Sequence, residues 1–261
     1  MPMIQAVERA LLILDLFDEY DTELKITEIS DRMVLHKSTV HSLLKTLQVH
    51  RYIEQNPENG KYRLGMKLLE RGTIVMHNLD IRNVVRKHLI HLSNITGQTT
   101  NLVILDGKEG VYIDKVEGSK AIIRYSRIGK RIPIHCSAVG KVLVAYKEPK
   151  ELKQLLKGYV YRQHTAKTIM SESYFMQELE KVRGQGYSVD NEENEPGVRC
   201  IAVPVRDHSG QVIAAISMST LVARVSDAEL MEHVQSLQQA AEEISEQMGF
   251  GIPSFHGKEV L

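Results

Sequence analysis

The chain has 261 residues, 43% of them hydrophobic and 25% charged, with 33 Lys and Arg balanced by 33 Asp and Glu. That length accommodates one large domain or a small one joined to a medium one, and the composition excludes a disordered or fibrous chain. Zero net charge excludes attraction of the whole chain to a polyanion, so a nucleic-acid partner must be met by a local patch.

Cys136 and Cys200 are too few for a secreted disulfide framework and too far apart for a zinc knuckle, which predicts free thiols in a reducing, cytoplasmic compartment. No apolar run approaches the roughly 18 residues that a membrane span needs. "ALLILDLF" is broken by Asp15, and the N-terminus lacks the basic flank of a signal peptide.

From Val7, the residues Ala10, Leu11, Leu14 and Phe17 recur at helical spacing and predict a first helix, stopped by "DEYD". Thr27 is placed to cap a second, short helix carrying Ile29 and Met33. "HKSTVHSLLKTL", residues 36–47, supplies a third. Val40, Leu43, Leu44 and Leu47 follow the i, i+3, i+4, i+7 rule on one side, and Ser38, His41, Ser42 and Lys45 follow it on the other. "RYIEQ" and "KYRLG" then read as strands around the turn "NPENG". Three helices followed by a hairpin is the order of a winged helix-turn-helix.

A polar helix face by itself is most simply a solvated one. Two features shift the reading toward DNA: the hairpin directly after it, and the sign of the local charge. Residues 32–67 hold Arg32, Lys37, Lys45, Arg51, Lys61, Arg63 and Lys67 against only Glu54 and Glu58, whereas helix one and its turn are acidic through Glu8, Asp15, Asp18, Glu19, Asp21 and Glu23. Small side chains at the start of a groove-entering helix permit close approach to a duplex, and Lys and Arg neutralise phosphates. Lys37, Ser38, Thr39, His41, Ser42 and Lys45, with Lys61 and Arg63 on the wing, are the candidate DNA-binding residues.

Residues 66–96 read as largely helical, interrupted near "HNLD", and predict a linker helix followed by the first helix of a second domain. "TTNLVILD", "GVYIDKVE", "AIIRYSRI", "RCIAVPVRD" and "QVIAAISMS" read as strands, with helices near 138–157 and 172–185 between them. Ser226 and Glu229 have capping-box spacing and open a last helix running to Gly249, beyond which the sequence loses periodicity. The expectation is an α+β chain. It comprises a winged helix-turn-helix over residues 1–65, a linker helix over 66–80, a domain on a mostly antiparallel sheet over 81–250, and a frayed tail over 251–261.

"ITEISDRMVLHKSTVHSLLKTLQVHRYIEQNPENGKYRLG" resembles the DNA-binding half of the IclR-type bacterial transcriptional regulators. "RIPIHCSAVGKVLVA", "GYSVDNEENEPGVRCIAVPV" and "AAISMS" are similar to blocks of that family's effector-binding half. The resemblance spans about residues 4–248. It implies a GAF-like effector domain, double-stranded operator DNA as partner, a homodimer or dimer of dimers, and a small organic or aromatic acid as effector. Two positions depart from it: Ser42 stands where the family usually has Arg, and Arg51 where it usually has Gly.

Carried over by position, the resemblance implies an effector site containing Ile132, Ala138, Val139, Asp190, Cys200, Ser217 and Ser219. Residues two apart on a strand share a face, so the two serine hydroxyls align independently of any resemblance, beside a helix start near Ser137. The plainer reading has these serines bonded to local backbone, Cys200 a small core residue and Asp190 the head of an exposed acidic loop. Arg124 could pair a ligand carboxylate if it faces inward.

An enzyme with a vestigial helical domain is the competing reading, and a protein-binding winged helix a third. The chain lacks a Gly-x-Ser-x-Gly elbow, and "SAVGK" is not a phosphate loop. His135, Cys136, His164 and Cys200 could gather round a metal, but no pair has a metal-ligand spacing, so neither metal nor cofactor is expected. The reading is a transcriptional regulator, a repressor rather than an activator.

Overall fold

A computed structural model describes residues 3–18, 20–77, 80–120 and 126–251. Glu19, Arg124, most of the strand expected over 121–128, the centre of the "HNLD" interruption and nearly all of the expected tail lie outside the described residues. The chain divides between residues 79 and 80 into two compact units.

In the first unit, helices α1 (Gln5–Leu14), α2 (Ile26–Met33) and α3 (Lys37–Val49) precede an antiparallel hairpin of β1 (Ile53–Gln55) and β2 (Tyr62–Leu64), followed by α4 (Met66–His77). A single bridge from Leu24 to Tyr62 ties the segment before α2 to the wing. Ile13, Phe17, Leu24, Ile29, Val40, Leu44, Ile53 and Tyr62 form the core, and Leu43 and Leu47 pack on its edge, so α3 uses the predicted apolar face. Burying each such side chain contributes roughly 1.5–3 kcal/mol.

Two expectations are corrected here. In α1 the fully buried residue is Ile13, while Val7 and Leu11 are more than half exposed; "ALLIL" is apolar on every side, so periodicity could not select the inward face. The second helix begins at Ile26 rather than after Thr27, because the Glu28 carboxylate accepts the Lys25 backbone N–H at 2.6 Å and so satisfies an orphan amide from within the first turn.

Both ends of the helix-turn-helix stop on left-handed residues. Val34 after α2 has φ 53° and Arg51 after α3 has φ 64°. At the second stop, the Tyr52 N–H donates to Leu47 O at 2.9 Å and the Arg51 N–H to Gln48 O at 3.0 Å, a Schellman closure built without the usual glycine.

The second unit is a sheet between two helical layers. Its elements are α5 (Asp80–Thr96), β3 (Thr99–Asp106), β4 (Glu109–Val116), β5 (Arg131–Pro133), α6 (Ala138–Ala145), α7 (Pro149–Leu156), α8 (Glu172–Gln185), β6 (Ser188–Asn191), β7 (Val198–Arg206), β8 (Val212–Leu221) and α9 (Asp227–Gln247). The strands lie in the order β5-β4-β3-β8-β7-β6 with every pairing antiparallel. α5 and α9 cover one face, and α6, backed by α8, covers the other.

The helix expected over 138–157 is two helices, since Pro149 starts a new one at its first position. The three-residue β5 and four-residue β6 were not anticipated; strands that short carry too few residues for alternation to register. α9 opens on the predicted Ser226–Glu229 capping box.

α6 is buried along its whole length, including the charged Lys141. Gly140 is what lets it approach β5: a Cβ there would stand 2.4 Å from Ile134 Cα. No described helix is long and apolar enough to cross a membrane.

Candidate functional site

Two groups of residues singled out in the sequence fall on separate units. On the first, Lys37, Ser38, His41, Ser42 and Lys45 are exposed on α3, and Thr39 is half-buried. The Ser42 hydroxyl donates back to Ser38 O at 3.1 Å, and Thr46 Oγ1 to Ser42 O at 3.0 Å, so both are spent on the helix's own carbonyls.

The charge count from the sequence overstates what this face can offer. Arg32 pairs with Asp21 at 2.7 Å, Arg63 with Glu54 at 3.2 Å and Lys67 with Glu70 at 2.5 Å. Lys37, Lys45, Arg51 and Lys61 make no ion pair among the described residues, which leaves them as the cations available to phosphate. The wing turn is braced from below: Glu23 accepts from Asn56 Nδ2 at 3.0 Å and Asn59 Nδ2 at 2.9 Å. These two bonds hold the Glu23 carboxyl below its ordinary pKa.

On the second unit, Ile132, Ala138, Val139, Asp190, Cys200, Ser217 and Ser219 all line a single cavity, together with Tyr112 and Ser137. Its floor is a row across three strands. Asp190 on β6 lies opposite Cys200 on β7, and Cys200 opposite Ser219 on β8. Ser217 sits two residues along β8 on the same face, as strand geometry requires. Cys200 Sγ donates to Ser219 Oγ at 3.3 Å, and Asn101 Nδ2 to Ser217 Oγ at 3.3 Å.

The roof is the N-terminus of α6. Ser137 caps it, accepting from the Gly140 N–H at 3.1 Å while its own hydroxyl donates to Pro133 O at 2.5 Å. Ala138 and Val139, the first residues of α6, line the cavity at the positive end of the helix, an arrangement suited to an anion.

Asp190 is 2% exposed, not the head of an exposed loop. Its Oδ1 accepts the Glu193 N–H at 2.7 Å and the Asn194 N–H at 3.3 Å. Burial nevertheless pushes its pKa up to about 7, reinforced by the Glu193 charge and opposed by those amides and by Lys141. Lys141 is itself buried, donating to Glu193 at 2.7 Å and to Val189 O at 2.6 Å.

The cavity holds about 10 Å³, space on the scale of a single water. Tyr112 and Ile132 separate it from a neighbouring cleft of about 210 Å³ that reaches Lys130, Arg131, His164 and Asn194. Tyr112 was not foreseen as a lining residue, because only the β3–β4 pairing brings it to the cavity.

Comparison with known proteins gives both units one identity. The family described as "IclR helix-turn-helix domain" matches residues 6–57, and "Bacterial transcriptional regulator IclR C-terminal" matches residues 73–246. The HTH-type transcriptional regulator XynR of Escherichia coli K12 is 59% identical over 250 residues, covering 96% of this chain and 99% of that protein. The DNA-binding transcriptional repressor YiaJ of the same organism is 32% identical over 251 residues, covering 95% and 89%. The crystal structure of the Thermotoga maritima IclR superposes with a TM-score of 0.78 at 34% identity, covering 95% of this chain and all of the other. An IclR homologue of Microbacterium hydrocarbonoxydans, solved with 4-hydroxybenzoate, shares the fold at TM-score 0.81 and 24% identity, covering 94% and 99%. The chain belongs to the IclR family of bacterial transcriptional regulators, DNA-binding proteins rather than enzymes.

Proposed function

We propose that this regulator is a cytoplasmic repressor that holds a pseudo-palindromic operator as a homodimer or dimer of dimers and releases it when a small carboxylate occupies the effector cavity. The observation that carries the reading is the convergence of a helix N-terminus, two serine hydroxyls and a protonatable aspartate on one enclosed space. Amides and hydroxyls stabilise a carboxylate group, and a protonated Asp190 donates to it where an ionised one would repel it.

With room for about one water, the cavity takes an acid only if its lining parts; movement of Tyr112 and Ile132 would join it to the neighbouring cleft. Such an opening gives the ligand a preference for one conformation, without which it could not alter DNA affinity. The GAF-like reading of the second unit and the role of residues 66–80 as the transmitting linker belong to this proposal.

On the DNA side, α3 is proposed to enter the major groove with Lys37, Ser38, Thr39, His41, Ser42 and Lys45, while Lys61 meets the backbone from the wing and Arg63 joins it only by giving up its Glu54 partner. One winged helix reads few base pairs, so useful specificity calls for paired copies. Ile4, Val7 and Leu11, exposed on one stripe of α1, give such pairing an apolar surface. The sign of regulation follows the repressor YiaJ, and the acid class follows the cavity, in keeping with the aromatic acid held by the Microbacterium homologue. Fluorescence anisotropy on an operator duplex, titrated with a panel of sugar acids, keto acids and aromatic acids, tests it: at least one acid should release the duplex, and release by none of them contradicts the proposal.

A further inference from the structure

The sequence spacing argued against a metal, since His135, Cys136, His164 and Cys200 show no ligand pair at a binding interval. The fold removes that objection for three of them. The loop between α7 and α8 brings His164 back over the segment joining β5 to α6. There one ligand atom each from His135, Cys136 and His164 lies within 4.8 Å of the others. Cys200 is not part of the group; its sulfur is bonded to Ser219 in the effector cavity.

We propose that His135, Cys136 and His164 form a zinc site distinct from the effector cavity. A sulfur and two imidazoles are the donor set of a borderline-soft divalent cation, and three protein ligands leave the fourth tetrahedral position to solvent or another donor. Metal–ligand lengths of about 2.0–2.3 Å place tetrahedral donors roughly 3.5 Å apart, so the widest pair of the triad closes by at most about 1.3 Å. The exposed His164 is free to make that movement.

The orientation of His135 supports the assignment. Its Nε2 lies 3.0 Å from Arg162 O, which can only accept, so Nε2 carries the proton and Nδ1 keeps its lone pair, now accepting from the Tyr159 hydroxyl at 2.8 Å. An N–H held by a backbone carbonyl is the outer-shell bond that metal-ligating histidines use to fix their tautomer.

Cys136 is buried, and its Sγ lies 3.7 Å from Asn194 Oδ1, to which it donates. A bound dication takes the sulfur as thiolate and releases the thiol proton to solvent. Zinc here would clamp the α7–α8 loop to the residues just ahead of Ser137 and hence to the start of α6.

The test is a Co²⁺ titration of the full-length, chelator-treated protein, followed by the thiolate-to-cobalt charge-transfer absorption, with Zn²⁺ as competitor. One Co²⁺ per chain should bind with that absorption and be displaced by Zn²⁺. His164→Ala, exposed and therefore expected to leave the circular dichroism unchanged, should weaken binding by more than the roughly 10-fold that losing an outer-shell partner costs. No stoichiometric uptake, uptake without the thiolate signature, or unchanged uptake in His164→Ala would each overturn the proposal. None of these readouts involves DNA or effector, so they stand or fall apart from the function proposed above.

Discussion

Cys200 and Ser219 face each other across neighbouring strands, sulfur to hydroxyl 3.3 Å apart, with Asp190 the next partner in the same row. This register, rather than any one residue, makes the floor of the proposed effector cavity. A slip of one residue in β7 or β8 would turn Cys200 or Ser219 to the α5–α9 side and dismantle it.

Removing the hydroxyls tests the floor. Ser217→Ala with Ser219→Ala should weaken the effector roughly 10- to 100-fold, at about 0.5–1.5 kcal/mol for each lost hydrogen bond, while operator affinity stays within about twofold. Calorimetry with the active acid and anisotropy on the operator separate the two readouts. An effector response of wild-type strength would relocate the site.

The raised pKa of Asp190 gives two linked pH dependences. Between about pH 4 and 7 the folded chain keeps a proton that the unfolded chain releases, so stability falls as pH rises through that window. Glu193, also raised by burial, adds to the slope with the same sign. Asp190→Asn should flatten the decline in melting temperature over this range. If the acid binds only the protonated form, its affinity should also fall about tenfold from pH 6 to pH 8, and the substitution should remove that fall. An equal decline in both proteins would assign it elsewhere.

Val34 is 89% exposed and left-handed, a conformation that costs a β-branched residue roughly 1–2 kcal/mol. Part of what Val34→Gly gains is offset by the entropy glycine adds to the unfolded chain, so a net stabilisation of about 0.5–1 kcal/mol is expected. Val34→Ala should not match it. Arg51→Gly should stabilise by a similar amount, measured by urea unfolding. Equal effects of Gly and Ala at position 34 would show that the backbone there carries no strain.

Lys45 is exposed and makes no ion pair among the described residues, so its charge is available to a phosphate. Lys45→Ala should weaken binding of operator and scrambled duplex alike and reduce the slope of log K against log salt by about 1. Arg63→Ala should change the slope less, because Arg63 already has a partner in Glu54. An unchanged slope in Lys45→Ala would remove it from the interface.

The three helices, the hairpin and the longer strands were legible in the sequence because each has enough residues for its periodicity to register. The inward face of α1 was not, since "ALLIL" offers apolar side chains all round. The left-handed stop at Val34 went unseen because valine gives no warning of it; at Arg51 the family pattern did give one. The residues that line the cavity came from ordered motif blocks, whereas their assembly is a matter of register, which no local pattern encodes. The gathering of His135, Cys136 and His164 was hidden for the same reason: its members meet only after α6, α7 and the loop beyond them bring the chain back.

The most direct test of the central claim is selection of duplexes from a random pool by the purified full-length protein, with anisotropy on the enriched sequence at fixed salt. The account predicts an inverted repeat bound at least about 10³-fold more tightly than its scrambled counterpart and released by a small organic acid. Enrichment of no sequence, or equal binding of selected and scrambled duplexes, would contradict it.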